Sequence, residues 1–84
     1  MQKLTPEQGI VVKKLCEAHS AFEYWCHELT ASKNREIEAF IQADKERIVH
    51  RGKEIRELQR ELGFNLYHDI RALVAYKTGT DIGE

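Results

Sequence analysis

The chain has little that would interrupt a helix or staple a fold: one proline, two cysteines and five glycines among 84 residues. The proline is Pro6, so no later position carries its helix-breaking ring. Cys16 and Cys26 read as residues of one helix, where ten residues rise about 15 Å, while a disulfide needs Cα atoms within roughly 7 Å. They are expected to be free thiols in a reducing compartment. No run of about 18 apolar residues exists, so no membrane span is expected. The opening Met-Gln-Lys-Leu-Thr-Pro-Glu-Gln lacks the apolar core of a secretion signal, and the expected location is the cytoplasm.

Chemistry-bearing motifs are equally scarce. There is no Cys-x-x-Cys, no His-Glu-x-x-His, no glycine-rich phosphate loop and no zinc-finger spacing. Two cysteines and four histidines permit a nucleophile and a base in space, but no spacing supports the pairing. His19, Glu23 and His27 share a face at four-residue spacing, yet His19 and His27 stand about 12 Å apart along an axis, too far for one ion. The expectation is therefore no catalysis, no cofactor and no metal. Charge of one sign is also lacking: 13 basic residues oppose 14 acidic ones, for a net charge of −1. This balance argues against a generic nucleic-acid binder, which usually carries a strongly basic face.

What is abundant is helical periodicity. Ile37, Ile41, Asp44, Ile48, Arg51, Ile55, Leu58 and Leu62 follow one another at spacings of four and three, the rhythm of a helix packed along one stripe. Val11, Leu15, Ala18, Phe22, Trp25 and Leu29 repeat the pattern earlier, widened by Ile10, Val12 and both cysteines. The fold class is all-α: two long helices in a hairpin plus a short C-terminal helix, in a single domain over residues 1–84. Helix 1 is expected over about residues 6–29. Thr5 serves as its N-cap, Pro6 takes the first position, and Gln8 completes a capping box. Helix 2 is expected over about 33–62 and helix 3 over about 66–77. Thr30-Ala31-Ser32 is the candidate turn, with Ser32 capping helix 2, although no Gly or Pro there forbids a continuous helix. Gly63 reads as the left-handed close of helix 2 with Phe64 folding back, and Asn65 as the cap of helix 3. The tail from Thr80 onwards is expected to fray. A hairpin turning at these residues would set Trp25 against Ile37, Phe22 against Phe40, Ala18 against Asp44 and Leu15 against Ile48. Leu58 and Leu62 would then need cover from helix 3 or a second subunit.

So short a chain buries only about 60–65% of its unfolded surface, and self-association is a usual remedy. Two charges in the seam suggest how. In an antiparallel pair of copies centred near Ile48, Asp44 faces the partner's Arg51, Ile41 faces Ile55 and Ile37 faces Leu58. A parallel pair would set like charges together. Ile37, Ile41, Asp44, Ile48, Arg51, Ile55 and Leu58 are thus the candidate self-association interface of a dimeric helical bundle, with Gly52 allowing close backbone approach. Tyr24, of a residue type enriched in binding hot spots, and the basic positions Lys45, Arg47, Lys53, Arg56 and Arg60 form a candidate surface for a partner. The expected function is a small non-enzymatic interaction module: an adaptor, assembly factor or inhibitor of a larger protein, of the kind mobile elements encode. The alternative is a nucleic-acid-associated regulator using the basic stretch 45–60.

Overall fold

In a computed structural model, which describes residues 3–64 and 69–83, the chain is an all-α structure. The element order is α1 (Pro6–Arg35), α2 (Glu38–Leu62) and α3 (Ile70–Thr78). The two long helices pack against each other as an antiparallel hairpin, and α3 lies along one of its faces. The molecule is a rod of about 47 × 21 × 17 Å. None of the described helices is long and apolar enough to cross a membrane.

The start of α1 follows its sequence signals. The Gln8 N–H donates to Thr5 Oγ1 at 3.1 Å, and the Thr5 N–H donates to Gln8 Oε1 at 3.0 Å. These reciprocal bonds satisfy donors that a helix start otherwise leaves orphaned. Its end departs from expectation. Thr30, Ala31 and Ser32 do not turn; α1 continues to Arg35. Both small hydroxyls find partners without breaking the helix. Thr30 Oγ1 donates to the Cys26 carbonyl at 3.2 Å, and Ser32 Oγ donates across the hairpin to Asp44 Oδ2 at 2.6 Å. Ser32 is therefore a buried contact to α2 and not its cap. The turn falls at Glu36, which takes left-handed geometry at φ 58°. The Glu36 N–H donates to the Lys33 carbonyl, and the Ile37 N–H to the Ser32 carbonyl, the pair of bonds that defines a Schellman close.

Moving the turn shifts the whole hairpin register. Asp44 meets Ser32 and not Ala18. Trp25 meets Arg47 and not Ile37. Ala18 lies instead beside Glu54 and Leu58, so α1 itself reaches the C-terminal half of α2. Leu15, Ala18, Phe22 and Leu29 of α1 join Ile48, Ile55, Leu58 and Leu62 of α2 and Ile70 and Val74 of α3 in one core.

Gly63 closes α2 as expected, with φ 81° and its N–H shared between the Gln59 and Arg60 carbonyls. The expected cap at Asn65 and the helical Leu66 lie outside the described residues. Asp69 is the N-cap of α3, accepting from the Arg71 N–H at 3.0 Å. Gly52 lets α3 dock: a Cβ placed there would clash with Val74 Cγ2. The close approach that this glycine permits is therefore to α3 of the same chain. Ile82 also reaches Gly52 and packs on the core, so the tail, expected to fray, is held at this one residue.

Candidate functional site

The helix 2 seam is filled from within the chain. Ile48 and Ile55 are fully buried, and Leu58 and Asp44 nearly so. Ile41 is half-buried and Ile37 is 37% exposed at the turn. Arg51 is half-buried and pairs with Glu54 at 2.9 Å. A dimer centred on Ile48 would have to open the hairpin to expose these residues.

The basic residues of α2 divide between two flanks. At about 100° per residue, Arg56 is half a turn away from Arg47. Lys45, Lys53, Arg56 and Arg60 share the flank toward the tail, where Ile82 lies beside Lys53 and Arg56. Arg60 is bound to Glu57 at 2.6 Å, and the Arg56 Nε is buried with no hydrogen-bond partner among the described residues. Arg47 stands on the other flank, on the hairpin face that α3 leaves uncovered.

That uncovered face carries the most organised exposed cluster. The Arg47 guanidinium lies 4.4 Å from the Trp25 ring centroid, a cation–π contact joining α2 to α1. Tyr24 meets Trp25 edge to face, with centroids 4.9 Å apart. Since neighbours on a helix point about 100° apart, Trp25 leans into the hairpin while Tyr24 stays 56% exposed. Phe40 and Ala43 fall on the same flank of α2 as Arg47, at spacings of three and four, and Phe40 is 53% exposed. Ala43, Glu46, His50 and Arg51 line a groove with Trp25 and Arg47. A separate groove that shares Arg51 is lined by Lys14, Glu17, Ala18, Ala21, Glu54 and Leu58.

Beneath the cluster sits a buried acid. Asp44 is 4% exposed. Its Oδ2 accepts from Ser32, and its Oδ1 accepts from the Arg47 guanidinium at 3.3 Å. One carboxylate thus ties the end of α1 to α2 and holds Arg47 against Trp25. Sequence reasoning singled out Tyr24, Asp44 and Arg47 but did not join them, and it did not include Trp25 or Phe40 among the surface residues. The signal available was the i, i+3 spacing of Asp44 and Arg47; the pairing with Trp25 depended on the register.

On the opposite face, His19, Cys26, His27 and Thr30 line a second groove with Leu73 and Lys77 of α3. His19 Nδ1 stands 3.5 Å from Glu23 Oε1. Burial raises the Cys26 thiol pKa, against the opposing pull of the Lys77 cation. Among the described residues, no three His, Cys, Asp or Glu side chains converge as metal ligands would.

No family model, curated protein or solved structure matches this chain.

Proposed function

We propose that the chain is a non-enzymatic interaction module that binds a larger protein through the hairpin face opposite α3. The supporting observation is the run of contacts from Tyr24 through Trp25 to Arg47 on that face, with exposed Phe40 on the same flank of α2 two turns from Arg47. Tyr, Trp and Arg dominate binding hot spots because they bring large, stiff, amphipathic contact area. Tyr24 and Phe40 leave aromatic surface exposed on this face, while Trp25 packs at the edge of the core beneath Arg47. Such a module acts by occupying a surface of its partner, as an adaptor, assembly factor or inhibitor does.

The test compares two sets of variants as bait in lysate of the native host. Tyr24→Ala with Phe40→Ser should lose a partner that the wild-type chain captures. Lys53→Ser with Arg60→Ser, on the other flank, should keep it. Equal capture by both variant sets would place the binding surface elsewhere.

The shared flank of Lys45, Lys53, Arg56 and Arg60 supports a second reading, a surface for nucleic-acid phosphates. Retention of the chain on DNA or RNA that falls steeply with salt, and that is lost in Lys53→Ser with Arg60→Ser, would favour it over the first.

A further inference from the structure

We propose that residues 79–83 are a releasable strap: Ile82 plugs a socket over Gly52 which, when vacated, takes an extended partner segment presenting an aliphatic side chain beside a carboxylate. With the strap seated the socket is closed, so this site stands apart from the open face described above and does not depend on it.

The plug is seated where two helices meet. Gly79 ends α3 in left-handed geometry at φ 77°, and its N–H donates to the Ala75 carbonyl at 2.8 Å. The chain then leaves helical geometry and runs back to α2. Of residues 79–83, Ile82 alone is half-buried. Its Cδ1 comes within 3.7 Å of the point where a Gly52 Cβ would stand, where Val74 of α3 also lies. The notch therefore exists because residue 52 has no side chain, and one branched aliphatic group fills it. Lys53, Arg56 and Glu57 form its rim.

Two observations make this plug displaceable. Among the described residues, the hydrogen bonds of the tail are local: the Thr80 N–H donates to Thr78 Oγ1 at 3.1 Å, and the Gly83 N–H donates to Asp81 Oδ1 at 2.9 Å. One apolar side chain thus holds the strap down against the entropy of ordering it. The strap also leaves the rim unsatisfied. The Arg56 Nε is buried without a hydrogen-bond partner among the described residues, and Asp81, next to the plug, bonds Gly83 instead. Glu57, the acid of the rim, is bound to Arg60 at 2.6 Å, so Lys53 and Arg56 give the rim an excess of positive charge. A buried donor without an acceptor costs free energy that a better-matched segment avoids. An aliphatic side chain for the notch and a carboxylate for Arg56 supply what the strap lacks. An extended segment fits, because the residue seated there belongs to one.

The probes are short peptides: Ser-Thr-Glu-Ile-Glu-Ser, its counterpart with Gln for both Glu, and its counterpart with Ser for Ile. The receptors are the whole chain as wild type and as Ile82→Ser, with Ile82→Ala as a milder opening. Backbone amide resonances of Gly52 and Val74 report the socket, and circular dichroism establishes that each variant remains helical. On Ile82→Ser the Glu peptide should shift both resonances saturably, and the Ser-for-Ile peptide should not. The wild-type chain should bind the Glu peptide about tenfold more weakly, the ratio for a socket open about one-tenth of the time. Ile82→Ala should fall between. The Gln peptide should bind Ile82→Ser at least about threefold more weakly than the Glu peptide, and adding Arg56→Gln should erase that difference. Equal affinity of wild type and Ile82→Ser would overturn the strap. An absence of shifts on both opened variants would overturn the socket. Equal binding of the Glu and Gln peptides would overturn the carboxylate. Shifts of Gly52 and Val74 that grow with the wild-type chain's own concentration would make the tail of a second copy the occupant, which would also overturn the proposal.

Discussion

Single residues decide where this rod bends. Glu36 adopts left-handed geometry with a Cβ in place, while Gly63 adopts it without one. Left-handed geometry costs an L-residue about 1–2 kcal/mol, and glycine returns roughly 0.5–1 kcal/mol of that as extra unfolded-state freedom. Glu36→Gly should therefore stabilise the chain by about 0.5–1 kcal/mol in urea unfolding, helped slightly by removing an acid from a helix C-terminus. Gly63→Ala should destabilise by about 1 kcal/mol. No atom lies within 4 Å of the added Cβ at Gly63, so that cost is conformational and not steric. A destabilised Glu36→Gly would contradict the turn at Glu36. The glycine at 63 was legible in the sequence because left-handed closes prefer glycine. The turn at Glu36 was not, because nothing in a glutamate signals that geometry.

Elements were legible where their signals are local. The Thr5–Gln8 box and the Gly63 close bounded α1 at its start and α2 at its end. The junction between them was misplaced because Thr30 and Ser32 resemble turn residues, and the partner that holds Ser32 inside a helix is twelve residues away at Asp44. The docking of α3 also depends on distant residues. Helix propensity alone favours Gly52→Ala by about 1 kcal/mol. The clash with fully buried Val74 opposes it, and overpacking costs about 1–3 kcal/mol. A net loss of stability is expected, and a gain would mean that α3 does not pack on Gly52. Asp69 gives α3 a pH signature. Chiefly the Arg71 backbone N–H holds the Asp69 carboxyl below its ordinary value of 3.8. A depressed folded pKa means that the cap's contribution is complete above the ordinary value and is lost as pH falls below it. Protection of the α3 amides, measured against the intrinsic exchange rate at each pH, should therefore fall below about pH 4. Asp69→Ala should show reduced protection at neutral pH, with no further change of this origin on acidification.

At the scale of the whole molecule, the eight-residue seam of α2 was legible, but its partner was not. Periodicity states that a stripe is covered; it does not state by what. The observed register brings α1 along the seam as far as Leu58 and leaves Asp44 bonded within its own chain. Asp44→Arg should then destabilise the fold by leaving an unpaired buried charge, an effect on the order of 3 kcal/mol. Adding Arg51→Asp should not restore it, since Arg51 pairs with Glu54. Rescue of dimer mass by the double change, seen in sedimentation, would instead support association through the seam. The aromatic cluster was hidden for the same reason. Trp25, Tyr24 and Arg47 each stood out by residue type, yet only the register brings Trp25 beneath Arg47 and sets Phe40 on the same open face.

The central claim is that this uncovered face is the working surface. Site-specific photo-crosslinking in the native host tests it most directly, with the photoreactive residue at Phe40 in one variant and at Lys53 in another. Phe40 should yield one discrete crosslinked partner, and Lys53 should yield none at comparable efficiency. A partner captured from Lys53 and not from Phe40 would contradict the account and move the function to the basic flank.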